Sequence, residues 1–149
     1  MRADLEREVP SIGMGDVRDF SNFMGAVIDG SSFATQTAAI AEAREAGAEI
    51  VTGGTTDDSE GWFVQPTVIK TEDPDFRLMR DELFGPVVTA YVYDEKRWDD
   101  TLRLVDETGT YALTGAVFAN DRGAIGQAHD ELRYAAGNFY VNDKPTGAV

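Results

Sequence analysis

The sequence predicts an α/β fold, a mostly parallel sheet with flanking helices. From residue 86 onward, extended and helical patterns alternate as β-α-β-α-β. Runs such as "GAVFA" (115–119) are apolar without alternation, the composition of strands covered on both faces. Right-handed crossovers between such strands give a parallel sheet with helices packed against it.

Each element follows from local signals. "MRADLEREV" carries Leu5 and Val9 at helical spacing, and Pro10 stops the helix. Residues 11–30 are punctuated by glycine and read as irregular. Ser31 or Ser32 is expected to cap a helix whose buried stripe runs through Phe33, Thr37, Ile40 and Ala43 or Arg44, ending at Gly47. "AEIVTGG" (48–54) is a short strand and turn. "GWFVQPTVIKT" (61–71) is extended, with Pro66 marking an edge strand or a break. An irregular helical turn near "EDPDFRLM" leads to the strand "PVVTAYVYD" (86–94). Trp98, Leu102 and Val105 then share one helical face, which ends at Gly109. "LTGAVFAN" (113–120) is a strand. Asp121 caps a helix with Ile125, Ala128, Leu132 and Ala135 inward, and "NFYVND" (138–143) closes the series.

Length and charge narrow the function. A chain of 149 residues is one domain's worth, so residues 1–149 are expected to form a single domain. Its net charge of -14 repels phosphate backbones and anionic lipids, so neither nucleic acid nor membrane is an expected partner. No apolar run approaches a membrane span, and the N-terminal residues lack a signal-peptide core. There is no cysteine, which removes disulfides, thiolate metal sites and a cysteine nucleophile from these residues; a reducing cytoplasm is the default location. The acidic stretch "TTDDSEG" (55–61) lacks the spacing of a calcium loop, and no metal is assigned to it.

The segment "DELFGPVV" (81–88) draws attention. It sets two acids and an aromatic on the lip of a strand and follows them with glycine, the most permissive backbone residue, and proline, the most constrained. Asp81 and Glu82 cannot serve as a hydrolytic pair, because adjacent residues on an extended segment face opposite sides. His129, the one histidine, falls mid-helix and is expected at the surface or an interface, with no nucleophile turn nearby. Asn142 and the "NDKPTG" loop lie at a strand's carboxyl end, where α/β folds place ligands; they either contact a ligand or form a framework turn.

Together, "FSNFMGAVID", "GGTTDDSEGWFVQPTV", "DELFGPVV", "LTGAVFA" and "AAGNFYVNDKPTGAV" resemble the aldehyde dehydrogenase superfamily, in order and spacing across essentially the whole chain. The first and last of these stretches are similar to its proline-catabolic branch, the pyrroline-5-carboxylate (L-glutamate γ-semialdehyde) dehydrogenases. The resemblance implies NAD as cofactor and the oxidation of L-glutamate γ-semialdehyde to L-glutamate. It also implies that Glu82 binds the hydroxyls of the nicotinamide ribose and that Phe84 packs beside the nicotinamide ring. An ionised carboxylate can accept from two vicinal hydroxyls at once, and a flat apolar ring suits an aromatic ligand.

In that family a cysteine thiolate attacks the aldehyde, hydride passes to NAD, and glutamate-activated water hydrolyses the resulting thioester. No residue of this chain matches that cysteine, so no catalytic residue is assigned. The expectation is a partial catalytic domain, cut at both termini, which has no activity alone and self-associates or pairs with the missing remainder. The alternative is a non-catalytic binding or assembly module, or a split-gene product completed by another half. The small-molecule substrate belongs to the full enzyme.

Overall fold

The computed structural model describes residues 1–110 and 112–144. They fall into two compact units, Met1–Val92 and Tyr93–Val149. The α/β class is as expected. Among the described residues, no helix is long and apolar enough to cross a membrane.

In the first unit, helix α1 (Arg2–Glu8) passes into a 3-10 turn containing Pro10. Exposed Arg2 ties α1 to Glu49 at the start of β1 (Glu49–Thr52). The long helix α2 (Gly30–Glu45) is capped by Asp29, whose carboxylate accepts from the Ser32 amide at 2.7 Å. This corrects the expected cap at Ser31 or Ser32. The aspartate adopts extended backbone geometry one residue before Gly30, so the glycine opens the helix instead of preceding it. The buried stripe is Gln36, Ala39, Ile40 and Ala43, with Phe33 and Thr37 half-buried and Arg44 exposed. At the other end Gly47 is left-handed, with φ +76. There the Gly47 amide bonds the Arg44 carbonyl and the Ala48 amide bonds the Ala43 carbonyl, satisfying two of the helix's terminal acceptors.

The extended segment 61–71 is two strands. β2 (Thr56–Asp57) pairs antiparallel with β3 (Phe63–Val64), Pro66 interrupts, and β4 (Thr67–Thr71) follows. β4 occupies the middle of a three-stranded sheet, antiparallel to β1 on one side and parallel to β5 (Val87–Tyr91) on the other. Its proline precedes the ladder, so no ladder donor is lost. Ala39 and Ala43 of α2 pack with Ile69, Phe76 and Leu78, and Leu83 and Val87 close over that core. A one-turn helix, α3 (Arg77–Arg80), supplies Leu78.

In the second unit, α4 (Trp98–Thr108) and α5 (Arg122–Glu131) flank the parallel pair β6 (Thr114–Val117) and β7 (Asn138–Val141). Asp121 caps α5 through the Ala124 amide, as the sequence predicts. The core comprises Leu102, Val117, Ala128 and Leu132, with Trp98 and Phe139 at its margin. The Trp98 indole donates to Gln127 and so ties the two helices together. Val105 is exposed, so the inward face of α4 is narrower than its spacing suggests.

Candidate functional site

The segment between α3 and β5 is held at three levels. At its start, the Asp81 amide bonds the Arg77 carbonyl, and Arg77 Nη1 donates to the Asp81 carboxylate at 2.8 Å. The same guanidinium grips Glu42 on α2 through Nε at 3.0 and 3.1 Å and through Nη2. Hydrogen bonding to Glu42 and then to Asp81 raises the Arg77 pKa, and the Arg77 contact lowers that of Glu42. In the middle, Leu83 enters the core and its carbonyl accepts from the Gln36 amide group. At its end, the Thr67 amide donates to the Pro86 carbonyl at 2.8 Å.

Because Leu83 turns inward, its neighbours turn outward. Glu82 is exposed, and among the described residues nothing bonds its carboxylate. Phe84 is 84% exposed and sits at φ +50, a left-handed conformation rarely adopted by an aromatic residue. The missing side chain of Gly85 has an inward cause beyond the expected close approach of a ligand: a Cβ there would lie 2.6 Å from Gln36 Oε1 and nearer still to the rest of that amide. The segment therefore offers a free carboxylate and an open aromatic face on a braced backbone. Those groups fit the ribose hydroxyls and ring of a nicotinamide riboside.

A cleft of about 620 Å³ in the first unit is lined by Met14, Asp16, Thr56, Asp57, Glu60 and Phe63, among others, and neither Glu82 nor Phe84 lines it. Its acids are exposed, with Asp16 paired to Arg18 and Asp57 accepting from the Ser59 amide. No group of three or more His, Asp or Glu among the described residues is arranged to hold a metal ion.

Elsewhere, His129 lies on the surface with its ring edge-on to Phe139, the centroids 6.2 Å apart. Asn142 is a framework turn. Its Oδ1 accepts from the Ala119 amide and its Nδ2 donates to the Ala119 carbonyl, both at 2.9 Å, joining the chain just beyond β6 to the end of β7. The rest of the "NDKPTG" loop, from Pro145, lies outside the described residues. Sequence reasoning missed Gln36 and the Glu42–Arg77–Asp81 cluster. A glutamine at helical spacing with Ala39, Ile40 and Ala43 was the available signal for the first; the second joins residues too far apart in sequence to leave one.

The whole chain, residues 1–149, matches the model of the aldehyde dehydrogenase family, and the chain belongs to that family. Within it, the chain is 51% identical to the mitochondrial delta-1-pyrroline-5-carboxylate dehydrogenase of Dictyostelium discoideum over 95% of its own length and 25% of the relative's. It is 44% identical to that of Homo sapiens over 100% and 27%. The delta-pyrroline-5-carboxylate dehydrogenase from Mycobacterium tuberculosis, solved with NAD and cobalamin, superposes with a TM-score of 0.90 at 44% identity, covering 100% of this chain and 28% of that one. Betaine aldehyde dehydrogenase from Staphylococcus aureus in complex with NAD+ gives 0.81 at 30% identity, covering 98% and 29%. The chain thus spans about a quarter of the length of the curated relatives it matches.

Proposed function

We propose that these residues are part of an NAD-dependent dehydrogenase that oxidises L-glutamate γ-semialdehyde to L-glutamate in proline catabolism. In that enzyme they form one wall of the nicotinamide site. The carrying observation is the outward projection of Glu82 and Phe84 from a segment braced at Asp81, Leu83 and Pro86. The names of the relatives and of their NAD complexes support the substrate and cofactor.

Bound NAD supplies the hydride acceptor. Glu82 accepts hydrogen bonds from the ribose hydroxyls and fixes the sugar, while Phe84 covers one face of the ring and keeps water from it. Neither group exchanges a proton with the substrate. The chain has no cysteine, so the thiolate nucleophile comes from outside it, and the isolated chain binds NAD weakly and turns nothing over. Exposed Phe20, Phe23 and Ile28 give the first unit an apolar surface suited to that remainder or to self-association. A cytoplasmic location belongs to the same proposal, although several relatives are named as mitochondrial.

Two assays test this. The isolated chain mixed with NAD and semialdehyde shows no reduced nicotinamide above a blank; turnover would overturn the claim that it lacks the reactive groups. In the complete polypeptide carrying these residues, Glu82→Gln weakens a charge-assisted contact of about 2 kcal/mol and raises the KM for NAD about thirtyfold. An unchanged KM removes Glu82 from the site.

A further inference from the structure

Beneath the outward pair lies a side chain that the cofactor contact does not use. Gln36 on α2 is fully buried, an uncommon place for an amide unless its polar atoms are matched. Its Nε2 donates to the Leu83 carbonyl, 47 residues away in sequence. Its Oε1 has no partner among the described residues. A residue needed there only for its volume would be leucine or methionine, which bring no polar atoms of their own into the core.

The amide brackets Phe84. On one side a hydrogen bond fixes the Leu83 carbonyl, and on the other the amide fills the space that a side chain on Gly85 would need. Between them Phe84 keeps a left-handed backbone while its ring, open to solvent, has no described ring partner to hold it there. A residue in so sparsely populated a conformation persists only where its surroundings impose it. Resting on the assignment of Glu82 and Phe84 to the cofactor, we infer that Gln36 is a positioning residue. Its buried amide holds 83–85 in the turn that aims both side chains outward, and it touches no ligand itself.

The experiment uses the complete enzyme carrying Gln36→Met, which keeps an unbranched side chain of similar size but removes the amide. The expected result is a rise of about tenfold in the KM for NAD, the aldehyde KM staying within about twofold and the melting temperature little changed. Glu82→Gln is assayed beside it. If Glu82→Gln raises the NAD KM and Gln36→Met leaves it unmoved, the positioning role is overturned while the cofactor contact stands. If Glu82→Gln has no effect, the contact fails and this inference with it. Should Gln36→Met not fold, Gly85→Ala alone and combined with Gln36→Asn decides the matter. The added methyl displaces the amide, so shortening the amide as well leaves NAD binding no weaker than Gly85→Ala alone. Two losses that multiply would show independent action and overturn the inference.

Discussion

Among the described residues, two that are not glycine sit in left-handed backbone, Phe84 at φ +50 and Asn142 at φ +53, and they answer the same strain differently. Asn142 is satisfied where it stands. Its side chain doubles as a backbone surrogate and bonds both polar groups of Ala119. Asparagine also tolerates this conformation better than most residues. Phe84 has no such compensation, because its ring is exposed and its geometry is imposed by Leu83 and Gly85 through Gln36. A strained residue that closes its own bonds reads as architecture. One that is held open from below reads as a presented group, and this contrast separates the framework turn of the second unit from the candidate site of the first.

The comparison breaks most decisively at Asn142. Asn142→Ala loses both bonds to Ala119 and with them the local bonding that offsets the left-handed backbone, costing about 2 kcal/mol in urea denaturation. A loss near zero would mean that the turn is held by something else. Phe84→Gly is the opposite case. Relief of the left-handed strain stabilises the protein by about 1 kcal/mol in the same measurement, while the complete enzyme binds NAD more weakly. Destabilisation would show that the ring contributes to packing.

The smallest effect concerns the anchor at the near end of the loop. Glu42→Gln costs about 0.5 kcal/mol, since Glu42 and Arg77 are both substantially exposed and their pair is screened. The Glu42 pKa is lowered in the folded state by its bonds to Arg77. Its contribution is therefore complete above the ordinary carboxylate range and is lost as pH falls through the lowered folded value. The wild type and Glu42→Gln converge only in acid, below the lowered folded-state pKa of Glu42. The Asn142→Ala difference involves no titrating group and persists across that range, so denaturation at two pH values separates the anchors.

Much of this architecture was legible in the chain because it is written locally. The cap at Asp121, the stop at Gly47 and the break at Pro66 each rest on a single residue's backbone chemistry. The alternation after residue 86 likewise gave the parallel pair β6–β7. The errors came where neighbours competed or distant residues decided. In "DGSS" every residue is a good helix starter, so local preference could not choose Asp29 over the serines. Gln36 escapes hydrophobic patterning, which counts an amide as surface, because its partner is the distant Leu83 carbonyl. For the site, Glu82 and Phe84 came from the family resemblance alone, whereas the brace beneath them arises only when α2 and the 81–86 segment meet.

The bond from the Thr67 amide to the Pro86 carbonyl has a further consequence. It fixes the lip of β5 by direct attachment to the head of β4, so the address of Glu82 does not depend on how far the polypeptide travels in between. Extra residues spliced in around Glu72 and Pro74 would lengthen the detour and leave the destination in place. That tolerance makes this short crossover a natural point for insertions that alter the protein's outline while leaving the 81–86 segment in place.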